Sequence, residues 1–278
     1  MYKRQSLILG GIILGIYTGL LGYVGAKTGL SLDLLSQRAF GEKGSYLPSA
    51  MTSFTQIGWF GVGSFVSGGT ATPNFARFAK DGKSGAITTV VAFFIGNSLM
   101  FFFGAVSSIF VGGNDIFEVM VRLNLFYLAV LVLGLNIWTT NDNALYTAGL
   151  GLANIFHQRK KPMVLLSGII GTVASVWLYY NFCGWLNILN CTLPPVGMIL
   201  VLAYFMNKED FETDQPKLKT VDWFAVAGVI LGAIVANLLH WGIASINGMV
   251  VAAVCYCVGQ AVNLSLIHIS EPTRLRCI

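Results

Sequence analysis

The chain has 278 residues, of which 55% are hydrophobic and 10% are charged, and its mean hydropathy is +0.71. A soluble domain carries about 25% charged residues, so this composition excludes an ordinary soluble protein and indicates a polytopic membrane protein. The net charge of +5 requires no nucleic-acid partner, because an excess of Lys and Arg in cytoplasmic loops gives the same balance.

Eight apolar spans follow one another along the chain. They predict an all-α fold, because a helix satisfies its own backbone hydrogen bonds in lipid. The spans cover approximately residues 6–26, 50–70, 86–112, 124–156, 163–182, 186–206, 222–242 and 246–263. The loops after the first, second, fourth and sixth spans are basic, whereas residues 113–118 after the third are acidic. The positive-inside rule therefore predicts a multi-pass protein of the inner membrane with its basic loops in the cytoplasm.

The span 50–70 does not fit this charge pattern, because a basic loop stands at both of its ends. A single crossing would have to begin and end in the cytoplasm. Either the segment is re-entrant, or residues are missing from it. Glycine permits a broken helix at a binding site, and this segment contains Gly58, Gly61, Gly63, Gly68 and Gly69.

Residues 135–146 form a polar segment inside an apolar region. On a helix, one face carries Asn136, Thr140, Asn143 and Thr147, and Thr139 lies beside Asn136 one turn on. Hydroxyl oxygens and a backbone carbonyl in this arrangement suit a hard cation such as Na⁺. Hydrogen bonding between helices is the alternative reading for Thr and Asn. Asp142 favours a functional role, because a carboxylate inside the membrane commonly marks a functional site.

Two polar and aromatic groups precede this segment in the span 50–70. Gln56 and Trp59 share a helix face, so a hydrogen-bonding amide lies beside a flat ring. The pattern is repeated by Ser64, Phe65 and Ser67. Taken singly, the aromatic residues are explained by packing or by an interfacial position. Together with residues 136–143, the two groups outline a polar pocket of the size of a nucleobase.

Four segments resemble the nucleobase:cation symporter family in its cytosine permease branch. They are residues 22–30, 55–63, 96–101 and 135–146, and the resemblance extends from about residue 6 to residue 263. It implies a sodium symporter-like fold of twelve helices with two inverted five-helix repeats. It also implies uptake of cytosine coupled to Na⁺ or H⁺, without a further cofactor. A permease for another purine, pyrimidine or related heterocycle is the alternative.

The resemblance implies roles for particular residues. The substrate-binding residues would be Gln56, Trp59, Ser64, Phe65, Ser67 and Asn136, with Phe65 stacking opposite Trp59. The sodium ligands would be Thr139 and Thr140, together with the Asn136 carbonyl. No role transfers to Asp142.

The chain departs from the family pattern in three ways. The family's first helix is absent, and the third-helix motif runs directly into the sixth-helix motif at Gly63 and Ser64. We therefore expect residues 6–263 to be a partial transporter membrane domain with an internal junction near 63/64. Residues 264–278 resemble a translated sequencing adapter, since CTG-TCT-CTT-ATA-CAC-ATC encodes residues 264–269. The reverse complement of that DNA contains GTG-TAT-AAG-AGA-CAG, which encodes residues 1–5 when GTG serves as the start codon, so both ends are expected to be non-native.

Two other classes of function remain as alternatives. One is a non-transporting membrane fragment or a receptor-like binding protein. The other is an enzyme. An enzyme is disfavoured, because the sequence shows no paired catalytic carboxylates, nucleophile–base pair or histidine cluster. No feature of the sequence determines the oligomeric state.

Overall fold

The computed structural model describes residues 2–62, 72–112, 116–213, 216, 218–239 and 243–270. Every regular element in these ranges is helical, which confirms the predicted all-α class. The chain divides into two compact units. The first comprises Met1–Leu32 and Thr52–Asn181, and the second comprises Asp33–Met51 and Phe182–Ile278.

The first unit contains most of the described helices. Its elements are α1 (Tyr2–Thr28), the second part of α3 (Tyr46–Val62), α4 (Pro73–Ala76), α5 (Gly82–Val90), α6 (Asn97–Val111), α7 (Ile116–Arg122), α8 (Phe126–Phe156) and α9 (Lys160–Tyr180). A π-helical segment, Val91–Gly96, joins α5 to α6. Asp81 caps α5 by accepting a hydrogen bond from the Ser84 amide at 2.7 Å.

Close packing in the first unit depends on glycines of α1. A Cβ atom on Gly22 would lie 2.5 Å from Thr89 Oγ1, and one on Gly25 would lie 2.7 Å from the Pro73 Cα. The missing side chains therefore allow α4 and α5 to approach the α1 backbone, as small residues do at membrane helix interfaces. The short helix α4 is held by Asn74, whose Oδ1 accepts the Leu32 amide hydrogen at 2.8 Å.

The helices α8 and α9 form a hairpin. His157 ends α8 in the left-handed conformation, with φ of 53°, and α9 begins at Lys160. Gly149 gives room to Val164 on the facing helix. Thr147 and Ala148, near the downstream end of α8, are buried in the first unit, as described below.

The second unit is built from most of α2 (Leu32–Phe40), the first part of α3, α10 (Phe182–Met206), α11 (Lys208–Glu212), α12 (Trp223–Leu238) and α13 (Ala244–Ser270). The helix α10 continues through Pro194 and Pro195. A Cβ atom on Gly248 would lie 3.1 Å from the Gly232 carbonyl oxygen and 3.2 Å from the Pro195 Cγ. Glycine at both positions therefore lets α12 and α13 meet beside the Pro195 ring.

A short backbone ladder precedes α12 in the second unit. The Glu42 amide donates to the Lys219 carbonyl at 2.7 Å, and the Asp222 amide donates to the Phe40 carbonyl at 2.6 Å. Gly41 has φ of +85°, which an L side chain rarely adopts, and a Cβ atom there would lie 2.6 Å from the Lys219 carbonyl oxygen. Asp222 then caps α12 by accepting the Ala225 amide hydrogen at 3.1 Å.

Helices occupy the described parts of all eight predicted spans. Four of them are long and apolar enough to cross a membrane, namely Gly82–Val111, Lys160–Leu178, Phe182–Met206 and Ala244–Val262. These correspond to the third, fifth, sixth and eighth predicted spans. Trp223–Leu238 is a shorter apolar helix. The helix α3 ends at Val62, and the rest of the span 50–70 lies outside the described residues, so its re-entrance stays a prediction.

Candidate functional site

Two of the predicted sodium-ligand oxygens of α8, the Thr139 hydroxyl and the Asn136 carbonyl, lie close together. The Thr139 hydroxyl donates to the carbonyl oxygens of Leu135 and Asn136, at 3.1 Å in each case. Thr side chains in helices commonly donate such a bond to a carbonyl oxygen of the preceding turn. It places the Thr139 hydroxyl oxygen next to the Asn136 carbonyl, so two oxygen atoms that the sequence assigned to a cation are neighbours.

The polar face of α8 changes from exposed to buried along its length. Asn136, Thr139 and Asn143 are exposed, Thr140 is half-buried, and Thr147 is buried. The apolar residues of the upstream half are exposed as well, with 68% of the Trp138 side chain accessible. The rest of the described chain therefore covers the downstream end of the predicted site and leaves its upstream end uncovered.

The helix α3 contacts α8 at Ala148, the residue after Thr147. The Ser53 hydroxyl donates to the Ala148 carbonyl oxygen of α8 at 3.2 Å. Gln56 is one helical turn from Ser53 and therefore lies on the same face of α3. Only 8% of Gln56 is exposed, and its neighbours Thr52 and Thr55 are buried too. Gln56 is thus buried on the same face of α3 as Ser53, whose hydroxyl bonds to α8.

Two buried oxygen atoms of α8 have no hydrogen-bond partner among the described residues. They are the Asn141 Oδ1 and the Thr147 Oγ1. An unpaired polar group in a membrane interior costs several kcal/mol. Thr147 is adjacent to Ala148, where α3 contacts α8. The helix α8 therefore carries two buried acceptor oxygens that the described protein groups do not use.

The remaining predicted substrate residues cannot be placed. Ser64, Phe65 and Ser67 lie outside the described residues, and so does the side chain of Trp59. The stacking arrangement of Phe65 opposite Trp59 therefore stays a prediction.

The carboxylates of the described residues differ in their exposure. Asp142 is exposed, whereas Asp33 and Asp222 are buried. The Ser49 hydroxyl donates to the Asp33 Oδ1 at 2.6 Å in the second unit. No group of three His, Cys, Asp or Glu side chains that could hold a metal ion occurs in the described part of the chain. A cation at α8 would thus depend on hydroxyl and carbonyl oxygens.

The sequence interpretation assigned no role in the site to Asn74 and Arg77, which follow the residues that the structure does not describe, 63–71. Asn74 is fully buried, and its Nδ2 has no partner among the described residues. Arg77 donates through Nη2 to the Tyr146 hydroxyl on α8. The sequence feature that could have indicated this segment is Asn74, a polar residue directly after Pro73, with which the short helix α4 begins.

Comparison with known proteins identifies the family. The profile of the family described as permease for cytosine/purines, uracil, thiamine, allantoin matches residues 5–71 and 61–261. The cytosine permease of Escherichia coli (strain K12) is 36% identical over 344 residues, which cover 90% of this chain and 81% of that protein. The cytosine permeases of Escherichia coli O157:H7 and O6:H1 have the same identity and coverage.

Two features of these matches concern the interior of the chain. The alignment with the Escherichia coli permease extends over 344 residues, although the present chain has only 278. The permease therefore contains residues that have no counterpart here. The family profile matches in two parts, which overlap at residues 61–71.

Proposed function

The chain belongs to the permease family for cytosine/purines, uracil, thiamine and allantoin, and from this premise we propose that it represents a secondary transporter that carries cytosine inward together with a cation. It is a multi-pass membrane protein and a permease, not an enzyme. The observation that carries the proposal is 36% identity to cytosine permeases over 90% of the chain. A permease for another purine or pyrimidine is the second candidate, because the family description includes those substrates.

The buried amide of Gln56 supports a nucleobase as the substrate. Cytosine presents an amino donor beside ring acceptors, and a Gln side chain supplies one acceptor and two donors. Gln56 is held on the α3 face that Ser53 joins to α8. Trp59 follows on the same helix one turn later and would supply the stacking surface. A planar base bound between α3 and α8 fits this chemistry.

The oxygen atoms of α8 support a hard cation as the coupling ion. The Thr139 hydroxyl and the Asn136 carbonyl oxygen are 3.1 Å apart, and Thr140 follows directly. We assign Na⁺ to these oxygens, with H⁺ as the alternative. Uptake measured against Na⁺ concentration at constant pH, and against pH at constant Na⁺, separates the two ions.

The chain in its present form is proposed to lack helices that transport requires. The extra length of the Escherichia coli permease in the alignment and the meeting of the two profile matches at residues 61–71 support a deletion near Gly63 and Ser64. The exposed upstream half of α8 supports it as well, because polar residues such as Asn136 would face lipid there. Alternating access depends on two repeats that move around a site near the membrane midplane. A chain that lacks much of one repeat should not transport.

Two proteins test these proposals in cells without their own cytosine permease. One is the chain of residues 6–263, and the other is a chimera in which the Escherichia coli permease supplies its first helix before residue 6 and its internal segment between Gly63 and Ser64. We expect saturable cytosine uptake only from the chimera, with inhibition by unlabelled cytosine and weaker inhibition by uracil or adenine. Saturable uptake by residues 6–263 alone would contradict the deletion proposal. Preference of the chimera for another base would contradict cytosine as the substrate.

A further inference from the structure

A cluster of basic and aromatic side chains lies where α4, α8 and α9 meet in the first unit. The Arg77 Nη2 donates to the Tyr146 hydroxyl, and the Lys160 Nζ lies 3.5 Å from the centroid of the Tyr146 ring. The Arg77 Cζ lies 4.7 Å from the Phe78 ring centroid, and Phe75 packs against Tyr146 with centroids 6.2 Å apart. Two cations, one directly after α4 and one at the start of α9, thus lie around one phenol ring.

The positive charge of this cluster is not neutralised by the described protein. Neither Arg77 nor Lys160 forms an ion pair with a carboxylate in the described ranges, and the two groups are close enough to repel each other. The Arg77 Nε is buried and makes no hydrogen bond there. An arrangement of like charges with unused donor capacity is stabilised when an anion binds between them.

The neighbouring residues add to the positive charge. Arg159 and Lys161 flank Lys160, and Lys80 and Lys83 follow Arg77 in the sequence. Residues 72–84 and 157–161 contain one acidic residue, Asp81. Its carboxylate is engaged as the cap of α5, and the hydrogen bond from the Ser84 backbone amide lowers its pKa. Asp81 therefore serves the helix terminus and does not pair with Arg77 or Lys160.

The position of the cluster matches the headgroup level of a membrane. The apolar helix Lys160–Leu178 begins at Lys160 itself. Phe75 and Phe78 expose 41% and 74% of their side chains beside the two cations. Aromatic residues are enriched at this level, and basic pockets between helices on the cytoplasmic side bind anionic lipid headgroups. The basic loops next to which Arg77 and Lys160 lie are also those that the positive-inside rule assigns to the cytoplasm.

We propose that Arg77 and Lys160, gathered around Tyr146, bind the phosphate of an anionic phospholipid in the cytoplasmic leaflet. The planar guanidinium offers paired donors to the phosphate oxygens, and the ammonium supplies a second charge. The aromatic side chains lie beside the glycerol and upper acyl region. The proposal does not depend on transport, because all five side chains of the cluster are present among the described residues.

Equilibrium binding of fluorescent phosphatidylglycerol to the purified full chain in detergent tests this site, with phosphatidylcholine of the same acyl chains as the reference lipid. We expect phosphatidylglycerol to bind saturably and more tightly. Arg77→Gln and Lys160→Gln should each weaken phosphatidylglycerol binding roughly fivefold, the value expected for one basic residue at a lipid surface. Phosphatidylcholine binding should not change. Lys161→Gln is the matched control, because Lys161 is adjacent and exposed and has no described contact with Tyr146.

Further variants guard against misfolding and identify the source of the phosphate. Helix content and the size-exclusion profile verify that each variant folds, and Tyr146→Phe retains the ring contact of Lys160 while removing the acceptor for Arg77. We expect that variant to bind with intermediate affinity. Equal affinity for the two lipids would overturn the proposal, and so would the same effect of Lys161→Gln as of Lys160→Gln. Displacement of the lipid by an equal concentration of inorganic phosphate would assign the site to free phosphate and overturn the lipid assignment.

Discussion

The Ser53 hydroxyl donates to the Ala148 carbonyl oxygen at 3.2 Å, and this bond joins the helix that carries Gln56 to the helix that carries the polar segment. The two residues are 95 positions apart in the sequence. Ser53 and Gln56 lie three residues apart and share a face of α3, so the bond to α8 forms on the helix face that carries Gln56. The integrity of the proposed substrate pocket therefore depends on a contact made by a residue that has no assigned role in substrate binding.

Ser53→Ala should lower the thermal midpoint of the detergent-solubilised chain. The expected loss is about 0.6 kcal/mol, the average for a hydrogen bond between membrane helices. Ser175→Ala is the matched control, because the Ser175 hydroxyl is exposed and donates only to the Thr172 carbonyl of its own helix, at 2.8 Å. Equal midpoints for the two variants would show that the α3–α8 bond does not contribute to stability.

Gly25→Ala and Gly104→Ala should have opposite effects on stability. A Cβ on Gly25 would lie 2.7 Å from the Pro73 Cα, which belongs to backbone and cannot move aside alone. Overpacking of this kind costs about 1–3 kcal/mol. A Cβ on Gly104 would meet no atom within 4 Å, and alanine there should stabilise α6 by about 0.5–1 kcal/mol. Thermal unfolding of the two variants measures the difference, and a stabilising Gly25→Ala would contradict the α1–α4 packing.

Asp222→Ala should destabilise the second unit by about 1 kcal/mol, because it removes the side chain that accepts the Ala225 amide hydrogen at the start of α12. Asp222→Asn keeps a capping oxygen and should retain most of the stability, although it removes the charge that lies 3.3 Å from the Lys219 Nζ. Hydrogen exchange at the first turn of α12 reports the local effect. Exchange in Asp222→Asn as fast as in Asp222→Ala would assign the effect to the ion pair.

The sequence predicted those features that depend on local geometry or on the membrane itself. Lipid forces apolar runs into helices, so α9, α10 and α13 could be predicted from hydropathy. The neighbouring oxygens of Asn136 and Thr139 also follow from helical spacing. The bond from Leu32 to Asn74 and the meeting of Arg77 with Tyr146 join residues 42 and 69 positions apart. They depend on how helices pack, and no periodicity in the sequence encodes them.

The orientation of the α9–α10 region can be tested with a native cysteine. Cys183 is exposed and belongs to residues 183–187, which the loop charges place outside the cell. In a chain whose other cysteines are replaced by alanine, a membrane-impermeant maleimide should label Cys183 in intact cells. A single cysteine introduced by Lys160→Cys should react only after permeabilisation, as should cysteines in 207–219, whereas those in 113–118 should react from outside. Labelling at position 160 in intact cells would reverse the topology.

Thr139→Ala and Thr140→Ala should weaken Na⁺ dependence in the chimera that restores the internal segment. Each change removes a hydroxyl oxygen, and a polar contact to a charged group contributes about 1.5–3 kcal/mol, so the Na⁺ concentration for half-maximal cytosine uptake should rise roughly tenfold or more. Thr139→Ser keeps the oxygen next to the Asn136 carbonyl and should remain close to the parent. Thr172→Ala is the control, because its exposed hydroxyl donates only to the Gly168 carbonyl within α9. Unchanged Na⁺ dependence in both alanine variants, with a shifted pH dependence in Asp142→Asn, would replace sodium by a proton as the coupling ion.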